Sequence, residues 1–285
     1  MKKSKARFWI FLAPALISFS LVVLIPMLIG FFYAFTDWNG IVGSEITFVG
    51  FRNFIEIFTR DSSFMHAFGF TALFSICAVV LVNIVGFALA LLVTQKFRGA
   101  TLLRGIFFMP NLIGGIVLGY IWQILLNGLL SSWGKSLLAL NATYGFWGLI
   151  ILMCWQQIGY MMIIYVAGLQ SVPGDLIEAA KIDGANDREI LFKIKIPMVM
   201  PSVTICTFLT LTNSFKLFDQ NVALTAGEPA NASEMLALNI YNTFYGRSGA
   251  QWKGIGQAKA VVFFLIVVVI SLIQLHFTRS KEVQQ

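Results

Sequence analysis

Eight neutral side chains of this 285-residue chain fall into two runs, each spaced to make one stripe on a helix. Met153, Gln156, Gln157 and Tyr160 form the first; Thr210, Asn213, Ser214 and Leu217 form the second. Each set follows i, i+3, i+4, i+7, the positions that share a helical face. Amides, hydroxyls and a phenol exchange neutral hydrogen bonds, and an aromatic ring stacks on an apolar sugar face, so together they can hold a polyhydroxylated solute. The same groups also suit hydrogen bonds between helices, worth about 0.6–2 kcal/mol each, and the residues alone leave both roles open. Covalent chemistry has far less to work with. Cys77, Cys154 and Cys206 each lie in an apolar run without zinc-ligand or disulfide spacing, and read as small core hydrophobes. His66 and His276 are isolated, so no metal cluster is expected. No phosphate loop, nucleophile elbow or dinucleotide fingerprint occurs. The chain reads as a non-enzyme with no catalytic residue, metal or cofactor of its own.

The elements that must carry the stripes are membrane spans. Hydrophobic residues make up 58% of the chain and charged residues 12%, with 27 Phe and a mean hydropathy of +0.81. Soluble domains carry about 25% charged residues. The net charge of +7 is too thinly spread for a nucleic-acid binder with a basic face. Six segments are long enough to cross roughly 30 Å of hydrocarbon: 9–35, 67–94, 105–126, 147–169, 197–222 and 258–277. The basic opening Lys2, Lys3, Lys5 and Arg7 resembles that of a signal peptide, but the apolar run continues to Phe35 without a cleavage site, so the first span is retained. Polar groups at membrane depth are costly unless they face a bundle interior or a wet cavity. Gln157 above Gln170 and Asn213 above Pro197 come to roughly 20 and 24 Å at helical rise, so the two stripes share one depth.

An even number of spans puts both termini on one side. With the amino terminus inside, 13 of the 20 basic residues fall on inner segments, while the acidic residues divide evenly. That is the positive-inside pattern, and it makes both ends cytoplasmic. Spans one to four and six hold no charge at mid-depth. Lys216 and Asp219 of span five lie near the outer interface, where they can pair or snorkel rather than relay protons. Trp9, Trp122, Trp133 and Trp147, near span ends, suit interfacial anchoring.

The inner loop 170–196 is patterned rather than loop-like. Asp175 and Glu178 have the spacing of a capping box, Ala179 and Ala180 favour helix, and Gly184 suits a left-handed stop. Asn186 and Glu189 then cap a second helix bearing Ile190, Leu191 and Ile194, with Lys193 and Lys195 in reach of headgroups, and Pro197 suits the first turn of span five. These marks together favour a shaped docking element over a plain connecting hairpin.

Here the residues carry a resemblance. Glu178-Ala179-Ala180, Asp183-Gly184-Ala185 and Ile196-Pro197 resemble the EAA loop of binding-protein-dependent ABC transporter permeases, in the expected position between spans four and five. Phe35 to Gly40, Phe48 to Phe54, Arg104 to Pro110 with Trp122, Phe215 to Asp219 and Leu224 to Pro229 are similar to the carbohydrate branch, the maltose, glycerol-phosphate and multiple-sugar types. Glu228 departs, standing where the family commonly has a second glycine, and the large outer domain of the maltose-type subunit is missing. The resemblance implies an all-α polytopic membrane protein: a single permease domain over 1–285, six transmembrane helices with the type I importer core and a cytoplasmic coupling helix. It implies that Glu178, Ala179, Ala180, Asp183 and Gly184 dock on nucleotide-binding ATPase subunits, which hold ATP and magnesium. It implies a second homologous permease and an extracytoplasmic solute-binding protein as partners, lipid around the spans, and a bacterial cell-membrane location. In the maltose type, both stripes contact the sugar, so the implied activity is alternating-access import of a carbohydrate, most simply an oligosaccharide. The rivals are import of glycerol phosphate or another small polar solute, an ion-coupled secondary transporter, and, further off, a membrane enzyme.

Overall fold

The computed structural model describes residues 2–41, 43–95 and 98–280, with side chains from Phe8 onward. Lys96, Lys281 and the side chains of the basic amino-terminal run lie outside the described residues. Regular structure among the described residues is helical, apart from one isolated antiparallel bridge between Thr36 and Phe48. The chain opens with α1 (Lys2–Phe19), which passes through a π-helical turn at Ser20–Leu24 into α2 (Ile25–Tyr33). A short α3 (Arg52–Thr59) precedes the long α4 (Ser62–Val93). Next come α5 (Ala100–Phe108), a 3-10 turn at Met109–Leu112, α6 (Gly115–Ser132) and α7 (Ala142–Gln170). The loop after α7 holds α8 (Gly174–Ile182) and α9 (Asp187–Ile190). A π turn at Leu191–Lys195 and α10 (Ile196–Met198) lead into α11 (Met200–Phe215). Finally α12 (Asp219–Leu224), α13 (Leu236–Tyr241) and α14 (Gln251–Arg279) follow.

Five helices among the described residues are long and apolar enough to cross a bilayer, and the bent pair Asp187–Met198 with Met200–Phe215 passes the same test together, giving six when it is counted as one span. Most run past the apolar segments read from sequence, because hydropathy marks the part that meets lipid while intrahelical hydrogen bonds continue into polar flanks. Two of the six segments are broken. In 105–126, Pro110 stands in the 3-10 turn and Ile113 and Gly114 are extended before α6 starts afresh. Proline supplies no N–H and adjoining glycines favour helix poorly. Such a break survives at membrane depth only if the freed backbone is paired again; the Ile113 carbonyl accepts from Gln156 Nε2 at 3.2 Å. In 197–222 the helix bends by 65° around Val199, with a second proline, Pro201, in the first turn of α11. It then stops at Phe215, and α12 begins only at Asp219. Lys216 is exposed at the carboxy-terminal end of α11, where a cation meets the negative end of the dipole, and no ion pair joins it to Asp219.

The chain packs as two compact units, Met1–Phe64 with Ile240–Leu265, and Met65–Asn239 with Ile266–Gln285. In the first, Asn53 of α3 donates to the Ala34 and Thr36 carbonyls at 2.9 and 2.8 Å, tying α3 to the end of α2. The same unit buries an ion cluster. Lys259 of α14 is 0% exposed and Asp61 5% exposed; their ion pair measures 2.7 Å, and Arg247 reaches the same carboxylate at 2.8 Å. Ser63 Oγ donates to Asp61 at 2.6 Å. Burial pushes the Asp61 carboxyl up, but the hydrogen bonds from Arg247, Lys259 and Ser63 outweigh it and hold the group down at about 2.

In the second unit α7 is the central element. Its Leu149 and Met153 pack with Phe74 of α4 and Leu217, and its Met161 and Tyr165 pack with Val82 of α4 and Cys206 of α11. Tyr165 Oη also donates to Asn83 Oδ1 at 2.5 Å. Close helix approach rests on small residues. A Cβ on Gly159 of α7 would lie 1.7 Å from the Phe107 carbonyl oxygen of α5, and one on Gly119 of α6 would lie 2.4 Å from Ala223 Cβ of α12.

Candidate functional site

The loop after α7 is built as the sequence suggests at its second half and differently at its first. α8 begins at Gly174 with Pro173 in the cap position and no side-chain cap, so the Asp175–Glu178 capping box does not form. Proline has no N–H to satisfy there, and Asp175 falls in the first turn, where its carboxylate meets the positive end of the helix dipole. The helix stops at Gly184, whose φ of +82° is open to glycine and strained for other residues. Two hydrogen bonds close that end: Gly184 N–H to Lys181 O at 3.1 Å, and Ala185 N–H to Ala180 O at 2.9 Å. Asn186 caps α9 with both halves of a capping box, at 3.0 and 3.1 Å to Glu189. Lys193 Nζ pairs with the Glu189 carboxylate at 2.9 Å, one helical turn on. Asp175, Glu178, Ala179 and Ile182 are exposed on one face of α8, while Ala180 is half-buried and Ile177 packs inward. Asp183 and Gly184 are exposed at its end.

The two polar stripes lie on α7 and on α11 with Leu217, two residues past its end, and the helices meet along them. Ser214 Oγ lies 3.6 Å from Met153 Sδ and donates to the Thr210 carbonyl at 2.7 Å. Met153, Thr210, Ser214 and Leu217 are buried, with Met153 and Leu217 inside one core cluster. Gln157, Tyr160 and Asn213 stay partly accessible. Gln156 is buried and engaged within the chain, since Nε2 serves Ile113 O and Oε1 accepts from Gln220 Nε2 at 2.8 Å. Gln157 differs: its Oε1 is buried without a hydrogen-bond partner, as is Thr210 Oγ1. Buried acceptors and hydroxyls are nearly always paired, so these two atoms have unspent capacity. The Tyr160 ring lies 6.4 Å from that of Phe108.

Sequence reasoning missed two supports of this arrangement and one buried ion pair in the other unit. Gln220 holds Gln156 from α12, a helix hidden inside the fifth apolar segment. Gly115 and Gly119, four residues apart, let α6 pack on that helix; a small-x-x-x-small pattern in an apolar run is a readable signal for such contact. Asp61 pairs with Lys259, and a lysine in an otherwise apolar stretch is a signal that a counter-ion must be found.

The helical fold recurs in solved transporters. A bacterial ABC transporter involved in import of the acidic polysaccharide alginate superposes with a TM-score of 0.81 over 98% of this chain and 96% of that one, at 20% identity. The fold is thus that of the helical membrane component of an ABC importer. Residues 86–283 match the binding-protein-dependent transport system inner membrane component model, and the chain belongs to that family. It is 46% identical to the probable starch degradation products transport system permease protein AmyD of Thermoanaerobacterium thermosulfurigenes, over 99% of this chain and 97% of the relative. It is 31% identical to the multiple sugar-binding transport system permease protein MsmF of Streptococcus mutans, over 96% of each.

Proposed function

We propose that this chain is the membrane-spanning permease subunit of an ATP-driven carbohydrate importer, working by alternating access. The observation that carries the substrate reading is the meeting of two uncharged polar stripes, with Gln157 Oε1 and Thr210 Oγ1 left without partners. A sugar hydroxyl can donate to the first and exchange with the second. No residue of either stripe is charged, which favours a neutral sugar over glycerol phosphate, whose phosphate calls for cationic donors. The names of the relatives that share 46% and 31% of their residues point the same way.

In this proposal a loaded extracytoplasmic binding protein delivers the sugar, and a second homologous permease completes the pathway. Two ATPase subunits, holding ATP and magnesium, grip the exposed Glu178–Ala179 face of α8 and the turn at Asp183–Gly184, and their closure moves α9 to α11. Both termini are cytoplasmic and the chain hydrolyses nothing itself. The test is uptake against substrate concentration, normalised to assembled complex. Gln157→Leu and Asn213→Leu should each raise the half-saturating concentration by roughly 5- to 150-fold, the equivalent of about 1–3 kcal/mol for an unpaired buried hydroxyl. Loss of complex with unchanged half-saturation in both variants would make the stripes purely structural.

A further inference from the structure

We propose that α3 is a membrane-interface anchor whose Phe51–Ile55–Phe58 stripe lies among lipid headgroups at the end of the bilayer where α4 begins. At helical spacing, Ile57, Phe54, Phe58, Phe51 and Ile55 make one apolar arc, and Thr59, Arg52, Glu56 and Arg60 make the opposite polar one. The protein uses only part of the apolar arc. Ile57 is fully buried and the Phe54 ring lies 4.9 Å from that of Phe35. Phe51, Ile55 and Phe58 are 68%, 58% and 58% exposed, and Phe48 beside them is 73% exposed. This stripe is held in place. The two hydrogen bonds from Asn53 to the carbonyls of Ala34 and Thr36 fix the rotation of the helix, so its apolar residues cannot turn inward.

Position and chemistry choose the occupant. Three residues after Thr59 the chain enters α4, a helix long and apolar enough to cross a bilayer, and α2, to which Asn53 ties α3, exposes Leu28 and Phe32. The stripe thus shares a unit with α2, whose apolar run is long enough to cross the bilayer, and stands in the chain directly before the span that α4 opens. A partner that docks and leaves would abandon large apolar side chains to water on every cycle, whereas lipid covers them always. Arg52 and Arg60 on the polar arc suit phosphate headgroups, and an apolar face below basic residues is the pattern of a helix lying in the interface. Lipid contact follows whichever side of the membrane that end occupies, and it does not depend on the substrate reading.

The test uses the assembled transporter in vesicles of phosphatidylethanolamine and phosphatidylglycerol. Single cysteines replace Phe51, Arg52, Ile55, Phe58 or Thr59 after Cys77, Cys154 and Cys206 are replaced, and each carries a nitroxide. Labels at positions 51, 55 and 58 should collide several-fold more with oxygen, which concentrates in lipid, than with a water-soluble nickel chelate. Labels at 52 and 59 should show the reverse. As a second readout, Ile55→Trp should add fluorescence that brominated acyl chains quench. Nickel exceeding oxygen at both 55 and 58 overturns the proposal. So does protection of those positions from both reagents that appears only when the loaded binding protein is added, which would give the stripe to that protein.

Discussion

Gln156 and Gln157 are neighbours in sequence and opposites in situation. The first has both ends of its amide engaged, by Ile113 and Gln220, and the second has a buried oxygen with no partner. Gln156→Leu should therefore strand two groups and lower the melting temperature and yield of the complex, while survivors keep ordinary half-saturation. Gln157→Leu should leave melting unchanged or higher. A thermal-shift series beside uptake curves checks both, and identical behaviour of the two variants would refute the distinction. Asp61 gives a pH prediction. Its carboxyl titrates at about 2 in the fold against about 4 unfolded, so its pairing stabilises above pH 4 and is lost as pH falls toward 2. Asp61→Asn removes the carboxylate that Lys259 and Arg247 share and should lower the melting temperature. The melting gap between wild type and variant should be widest near neutrality and shrink from about pH 4 downward. A constant gap would show that the ion pair is not its cause.

At the scale of elements, the close approach of α5 and α7 depends on the missing side chain of Gly159. Gly159→Ala would drive a methyl against the Phe107 carbonyl and should cost more than about 3 kcal/mol, read as loss of monodisperse complex. Gly105→Ala, on α5 with no atom within 4 Å of the added methyl, should be neutral or gain up to about 1 kcal/mol. Elements whose cause is local were legible in the sequence: Gly184 ends a helix because of its own φ, and Asn186 with Glu189 caps the next within four residues. The breaks at Ile113–Gly114 and after Phe215 were not, because hydropathy reports how apolar a stretch is and says nothing of its continuity. Pro110 and the glycines after it loosen the first helix locally, but what makes that break tolerable at membrane depth is a partner distant in sequence, Gln156. The helix after the second break is seated by the α6 glycines. The eight stripe residues were legible as two faces, but not that Gln156 is consumed internally while Gln157 is free to accept. For α8 the expectation is sharper than for its neighbours. Glu178→Lys and Gly184→Val should leave the spans inserted but weaken retention of the ATPase subunits, and normal substrate-stimulated hydrolysis in both would refute docking there.

At the scale of the whole molecule, the uneven placement of Lys and Arg predicts a topology that labelling can check. Cysteines at Arg98 should react only from the cytoplasmic side, and those at Ser44 and Ala230 only from outside; reaction of Arg98 and Ser44 from one side would refute the orientation. The turn between α8 and α9 also has a mechanical consequence. All four backbone N–H groups of Asp183, Gly184, Ala185 and Asn186 have acceptors, at 2.9 to 3.1 Å. Three of these bonds run back into α8 and the fourth into the cap of α9, so the turn is stiff on both sides, and under the proposed function a displacement of α8 is expected to carry α9 with it. On that proposal fuel and cargo are geared together, and slippage would have to be introduced deliberately. A glycine inserted after Gly184 would put lost motion into the drive, so that the ATP consumed per solute delivered rises while the engine itself idles at full speed.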